Sequence, residues 1–219
     1  QGNEQTSRML STAPWDKPLG IQMVGREPDL LTEAAKKLEE VGADVIDINL
    51  GCPVRKVVEE GCGSALLKDP EQVGRILEKV VPAVRIPVTI KMRTGFDEGD
   101  TGRFLEIAKI ADRCGVGGIT VHGRTQKQKF SGLTNFEAIR SVKESVSCPV
   151  IGNGNVRCGR DAEHMMRETG CDGVMLARGA LGNPWIYREV STYLATGQVP
   201  PPPTVAERAA AMREHFEYI

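Results

Sequence analysis

The residues of this chain best suited to chemistry stand at the ends of short apolar runs. Cys52, in Asn49-Leu50-Gly51-Cys52-Pro53, follows a run that ends Asp47-Ile48-Asn49. A glycine permits a sharp turn and a proline fixes the next backbone angle, so the thiol is expected at a defined spot. Free cysteine is more often a small buried apolar side chain than a catalyst. A thiol on a polar loop shaped by Gly and Pro is a different case. With an ordinary pKa of about 8.5 such a group keeps its proton at neutral pH and can donate it as a general acid. Cys62, in Glu60-Gly61-Cys62-Gly63-Ser64, is the rival thiol, while Cys114, Cys148, Cys158 and Cys171 read as structural.

Two further stretches suit an anion. Gly152-Asn153-Gly154-Asn155 and Ala177-Arg178-Gly179-Ala180 each follow an apolar run. Glycines there let backbone N–H groups approach a phosphate, and Arg178 adds a charge-assisted contact. Lys91-Met92-Arg93 puts two cations on one face of a strand end, because strand residues alternate. A lysine beside an isoalloxazine would stabilise negative charge on N1 and O2 of a reduced flavin. Gln22 is placed to hydrogen-bond the edge of such a ring. His122, in Val121-His122-Gly123-Arg124-Thr125, is placed to hold its phosphate or a ring carbonyl.

The elements that position these residues recur with a period. Apolar, β-branched runs at 19–24, 45–50, 88–91, 118–122, 149–152 and 173–177 are bounded by Gly or Pro, as buried parallel strands should be. Amphipathic stretches at 29–41, 70–81, 102–114, 135–146 and 159–169 lie between them. Asp29 and Asp69-Pro70 supply helix starts, and Gly42, Gly115 and Gly170 supply stops. Alternating strands and helices leave a doubly wound sheet or a (β/α)8 barrel. The polar residues ending successive runs are Gln22, Asn49, Lys91, His122, Asn153 and Arg178. Apart from one longer step across the Cys52 loop, their spacing stays near the roughly 31 residues of a barrel unit. A single rim carrying one polar residue per strand favours the barrel.

Six such runs fall short of eight, so the expectation is strands three to eight of a (β/α)8 TIM barrel, with two units absent before Gln1. Residues 1–197 are expected to form this catalytic domain. Residues 198–219 are expected to be a linker, Val199-Pro200-Pro201-Pro202-Pro203, and the opening helix of a C-terminal helical domain. Thr204 with Glu207 three residues on is a capping box.

Composition narrows the function classes. The net charge of −1 gives no global basic field, and aromatics at 5% argue against a surface built on base stacking. Six dispersed cysteines without a C-x-x-C pair read as reduced thiols of a cytoplasmic enzyme. No run nears the roughly 18 apolar residues of a membrane helix, so no membrane partner is expected, and no metal is expected either.

With these residues in place the sequence resembles the tRNA-dihydrouridine synthases, and most of all their bacterial B-type branch. The resemblance is carried by Ile21-Gln22-Met23-Val24-Gly25, Ile46-Asp47-Ile48-Asn49-Leu50-Gly51-Cys52-Pro53, Gly63-Ser64-Ala65-Leu66-Leu67-Lys68-Asp69-Pro70 and Lys91-Met92-Arg93-Thr94-Gly95. It continues through Val121-His122-Gly123-Arg124-Thr125, Ile151-Gly152-Asn153-Gly154 and Arg178-Gly179-Ala180-Leu181-Gly182-Asn183-Pro184-Trp185, in order from about residue 19 to residue 190. It implies an oxidoreductase with FMN as cofactor and NADPH as electron donor. On that pattern the reduced flavin delivers hydride to C6 of a uridine in tRNA, and Cys52 donates the proton to C5. The resemblance further implies that Gln22, Lys91, His122, Asn153, Gly154, Arg178 and Gly179 line the FMN, and that Asn49, Arg93 and Arg124 face the substrate. Asn155 stands where Asp is common, and Ala177 replaces a frequent Gly.

Two other readings remain open on the residues alone: an FMN barrel acting on a small pyrimidine or enone, and a non-catalytic RNA-binding relative. A target base must leave the tRNA stack to reach a rim pocket, at a cost of a few kcal/mol. Arg55, Lys56, Arg93, Arg124, Lys127, Lys129 and Arg157 are the cations expected on rim loops to offset it.

Overall fold

The computed structural model describes residues 15–97, 99 and 102–217. Among the described residues six strands form one sheet: β1 (Gly20–Met23), β2 (Val45–Leu50), β3 (Val88–Arg93), β4 (Gly118–His122), β5 (Val150–Asn153) and β6 (Gly173–Met175). Every neighbouring pair is parallel and the spatial order is the sequence order. A doubly wound sheet would reverse its order at a switch point. This one never reverses, so the chain winds in one direction as part of a (β/α) barrel.

Five helices on one face accompany that winding: α1 (Pro28–Glu40), α3 (Pro70–Val80), α4 (Arg103–Arg113), α5 (Phe136–Ser145) and α6 (Gly159–Thr169). Each packs on the next, and α7 (Ile186–Thr196) continues the row against α6. The short α2 (Arg55–Glu59) and a 3-10 turn (Gly63–Lys68) fill the longer connection after β2.

Strand alternation divides the sheet into two faces. On β2, Ile46, Ile48 and Leu50 are at most 1% exposed and pack into the helix layer, while Val45, Asp47 and Asn49 turn the other way. Ile90, Met92, Ile119 and Val121 extend the same core, met by Leu67, Leu77, Ile107 and Ile139 from the helices and turns. Each such side chain contributes about 1.5–3 kcal/mol of burial. The other face carries the polar series.

Several helix ends follow their sequence signals. Asp69 caps α3, its Oδ1 accepting from Gln72 N–H at 3.0 Å, with Pro70 in the first turn. Gly42, Gly115 and Gly170 stop α1, α4 and α6 at φ of +92°, +80° and +70°. Asp29 differs: it lies in the first turn of α1 rather than at its cap, which is Glu27. The chain after β6 forms a 3-10 turn (Arg178–Ala180) and then α7 rather than one continuous helix. Pro184 disfavours helical geometry at Asn183, so the helix restarts only after it. Then comes α8 (Val205–Glu217), capped reciprocally by Thr204 and Glu207. It buries none of its described residues, and it meets the barrel through an Arg188–Glu207 pair at 3.5 Å and Arg208 over the Trp185 ring. Residues 218–219 of the expected helix lie outside the described residues.

Replacing Asp69 by Ala orphans the Gln72 N–H at the start of α3. Chemical denaturation of the protein should show about 1 kcal/mol lost, and an unchanged midpoint would contradict the capping role.

Candidate active site

The polar face of the sheet ends in a cavity of about 500 Å³ at the C-terminal ends of the strands. Register brings the expected residues there. Asn49 lies opposite Lys91 across β2 and β3, Arg93 opposite His122 across β3 and β4, and His122 opposite Asn153 across β4 and β5. Gln22, Cys52, Gly154, Arg178 and Gly179 complete the expected walls. Arg124 is the expected residue that the cavity does not include, and Cys62 is also outside it. Burial and the nearby Glu60 carboxylate raise the Cys62 thiol above its usual range.

Cys52 is held by hydrogen bonds more than by its flanking Gly and Pro. Asn49 Oδ1 accepts from both Gly51 N–H at 3.0 Å and Cys52 N–H at 2.8 Å. The Cys52 carbonyl accepts from Ser64 N–H at 3.1 Å and Ser64 Oγ at 2.8 Å, and Ser64 is fully buried. The glycine that matters is not Gly51 but Gly63, at φ +58°, where a Cβ would lie 3.0 Å from the Cys52 Cβ. Any side chain there would push the thiol loop out of place.

The cations fall into two groups. Arg93 and Arg124 are 3% and 1% exposed and give most of their hydrogen bonds to backbone carbonyls. Arg93 Nε donates to Gly51 O at 2.8 Å, while Nη1 donates to Thr125 O at 3.0 Å and Lys129 O at 2.9 Å. It therefore ties the Cys52 loop to the loop after β4. Arg124 sits behind His122 and donates to Ser131 O at 2.9 Å and Gly132 O at 2.6 Å. These two do not belong to an exposed basic patch. Arg55 pairs with Glu59 at 2.7 Å and Lys127 with Asp97 at 3.5 Å, while Arg157 lines the cavity.

The second group, Lys91 and Arg178, lines the cavity with fewer partners. Lys91 is lowered to about 8, first by burial and then by Arg93, with Asp47 acting in the opposite sense. Its Nζ is 3.3 Å from Asn153 Oδ1. Arg178 is exposed and reaches Asn155 Oδ1 at 3.3 Å, which links the loops after β5 and β6. Asn155 adopts φ +57° and Gly154 φ +139°, so consecutive residues leave the usual backbone regions beside the cavity. A Cβ on Gly179 would stand 2.6 Å from Val156 O, so only glycine lets these two loops meet.

His122 lies between the groups. Burial comes first, then Arg93, Lys91, Arg124 and Arg178, and together they lower it to about 3. A guanidinium can only donate, so the 3.3 Å contact from Arg124 Nη1 puts the lone pair on His122 Nε2 and the proton on Nδ1.

Three contributors were not singled out from the sequence. Phe130 lines the cavity at 56% exposure, with the Arg178 guanidinium 4.9 Å and that of Arg93 5.9 Å from its ring. A lone aromatic in a lysine-rich loop was its available signal. Asp47 accepts from Gln22 and Thr89. Thr134 packs against Gly154 from behind, and its Oγ1 is the buried side-chain polar atom without a partner among the described residues.

A cation-rich cavity with one thiol in its wall, above the strand ends of a singly wound parallel sheet, is the rim of a (β/α) barrel. Residues 1–219 match the family described as Dihydrouridine synthase (Dus). The chain is 44% identical over 199 residues to "Probable tRNA-dihydrouridine synthase" of Rickettsia prowazekii, covering 91% of this chain and 61% of that protein. It is 42% identical over 216 residues to "tRNA-dihydrouridine synthase B" of Xanthomonas axonopodis pv. citri, covering 99% and 65%. A third relative, "tRNA-dihydrouridine synthase B" of Proteus vulgaris, is 44% identical over 195 residues, covering 89% and 60%. The chain belongs to the dihydrouridine synthase family. It spans about three-fifths of the length of these relatives.

The surroundings of His122 give a pH prediction. Its folded value lies below its unfolded one, so the stability tied to the neutral ring is full above about pH 6.5 and is lost as pH falls toward 3. Nitrogen-15 NMR of labelled histidine should find His122 neutral at pH 5 with the proton on Nδ1. A ring titrating near its unperturbed value would contradict the arrangement.

Proposed function

We propose that this chain carries the catalytic site of a flavin-dependent tRNA-dihydrouridine synthase, with Cys52 as proton donor. The observation that carries the reading is that Cys52, Lys91 and the Arg178–Asn155 loop pair share one cavity. The printed names of the relatives support tRNA as the substrate.

The walls fit FMN. About 500 Å³ is within the range of cofactor pockets. The close-packed glycine at 179, the paired loops and Arg178 make a cradle for a phosphate. Lys91 and Asn153 offer a cation and an amide for the ring edge, and Gln22 and His122 flank them. When bound, reduced FMN supplies the hydride equivalent for C6 of a uracil, and NADPH is the proposed source of its electrons.

This chain's own residues do the rest. The Cys52 thiol gives its proton to C5 from a loop that Asn49 and Ser64 hold still. Asn49 and Arg93 line the same cavity and are proposed to face the uracil. Arg124, expected beside them, is proposed to act from behind by fixing the tautomer of His122. Residues 1–197 are proposed as the catalytic barrel and 198–219 as the linker and first helix of a helical tRNA-binding domain. A cytoplasmic location goes with this reading and with six unpaired thiols.

The test is made on the full-length protein carrying FMN. Unmodified tRNA should speed NADPH oxidation more than free uracil does, and dihydrouridine should appear in the tRNA. Cys52→Ala should slow its formation by about a hundredfold or more. Faster oxidation with uracil, or full turnover without the thiol, would overturn the reading.

Lys91 adds a pH test. The N1 and O2 acceptors of the ring and the phosphate charge favour charged Lys91, so binding takes up a proton once the free lysine has lost its own. FMN affinity should therefore weaken as pH rises through about 8. In Lys91→Met the affinity should be lower and should lack that step, as read by flavin fluorescence; an unchanged profile would contradict the assignment.

A further inference from the structure

The thiol loop hangs from a row of side chains that begins on the barrel face of β2 and β3. Thr89 Oγ1 donates to Asp47 Oδ1 at 2.7 Å. Gln22 Nε2 donates to Asp47 Oδ2 at 2.6 Å. Asn49 Nδ2 donates to Gln22 Oε1 at 2.6 Å, and Asn49 Oδ1 accepts from Gly51 and Cys52. We propose that Asp47 is a positioning residue for Cys52, acting through Gln22 and Asn49 to set which way the Asn49 amide faces.

Donors and acceptors set the direction of the row. A primary amide can turn over and exchange its oxygen for its NH2, so the partners of Gln22 and Asn49 decide which way each faces. A carboxylate only accepts, so Asp47 forces the NH2 of Gln22 toward itself. The Gln22 oxygen then faces Asn49 and draws its NH2. That leaves Asn49 Oδ1 toward the two backbone N–H groups of the thiol loop. Reverse one amide, and an NH2 would oppose the N–H groups of Gly51 and Cys52, donor against donor. The loop would have to move, and displacements of about 1 Å at a reacting group change rates strongly. Register supports the directionality, because Gln22 lies opposite Asp47 and Asp47 opposite Thr89.

This inference rests on the assignment of Cys52 as the reactive thiol, but its test does not need turnover. Alkylation of Cys52 by iodoacetamide is followed in the flavin-free full-length protein by peptide mass spectrometry, with Cys62 as reference in the same connection. Asp47→Asn should change the Cys52 rate by about fivefold, the scale of one net hydrogen bond, and leave Cys62 within twofold. Adding Gln22→Glu returns an obligate acceptor to the row, now at position 22, where it can take the NH2 of the new amide at position 47 together with that of Asn49. That pair of changes should bring the Cys52 rate back to that of wild type. Should Asp47→Asn fail to fold, the exposed Gln22→Ala cuts the row at its middle and should shift Cys52 in the same sense. In a Gln22→Ala background the further change Asp47→Asn should add nothing. A folded Asp47→Asn protein with an unaltered Cys52 rate, an unrescued double variant, or additive effects in the cycle would each overturn the proposal. Loss of tRNA reduction with the alkylation pattern intact would instead count against the proposed function.

Discussion

The constraint on which the site depends is the crowding of positive charge on one rim. Lys91, Arg93, Arg124 and Arg178 all bear on the imidazole of His122, and Asp47 is the carboxylate that eases Lys91. Buried charge without partners is costly, so the buried cations need oxygen. Arg93 and Arg124 find it in the carbonyls of Gly51, Thr125, Lys129, Ser131 and Gly132. Their charge is thereby converted into loop structure. Lys91 and Arg178 keep weaker partners, both amide oxygens at 3.3 Å. An anion in the cavity is what their electrostatics call for, and the proposed flavin phosphate and reduced ring are of that sign.

The same interior face serves two kinds of group because parallel register stacks it in layers. Gln22, Asp47 and Thr89 form one level, Asn49, Lys91 and Thr120 the next, and Arg93, His122, Asn153 and Met175 the outermost. The lowest level orders amides, and the outermost clamps loops and lines the mouth of the cavity. No residue performs its part alone, since Asn49 owes its orientation to the level beneath it. The helix layer behind, packed on Ile46, Ile48, Ile90 and Val121, keeps these levels in register.

Much of this was legible in the sequence, for physical reasons. Apolar runs with a polar end residue give both the strand and its exposed tip, so Lys91, His122 and Asn153 could be placed on one rim before any coordinates. Alternation gives a face, however, and not whether a long side chain turns back into the protein. Arg93 and Arg124 looked like rim cations because their carbonyl partners lie on loops without periodicity. Gly51 looked like the hinge of the thiol loop, yet the strained glycine is Gly63, which is close only after the connection folds back. Asp47 looked like an ordinary strand residue, since a row of amides has no sequence signature.

The most direct test of an anion-demanding flavin site compares FMN with riboflavin, which differ only in the phosphate, on the full-length protein by fluorescence titration. If Arg178 and the glycine loops cradle that phosphate, FMN should bind more tightly by about tenfold or more for each charge-assisted bond, and Arg178→Ala should erase most of the difference. Equal affinity for the two flavins, or no flavin binding at all, would contradict the account.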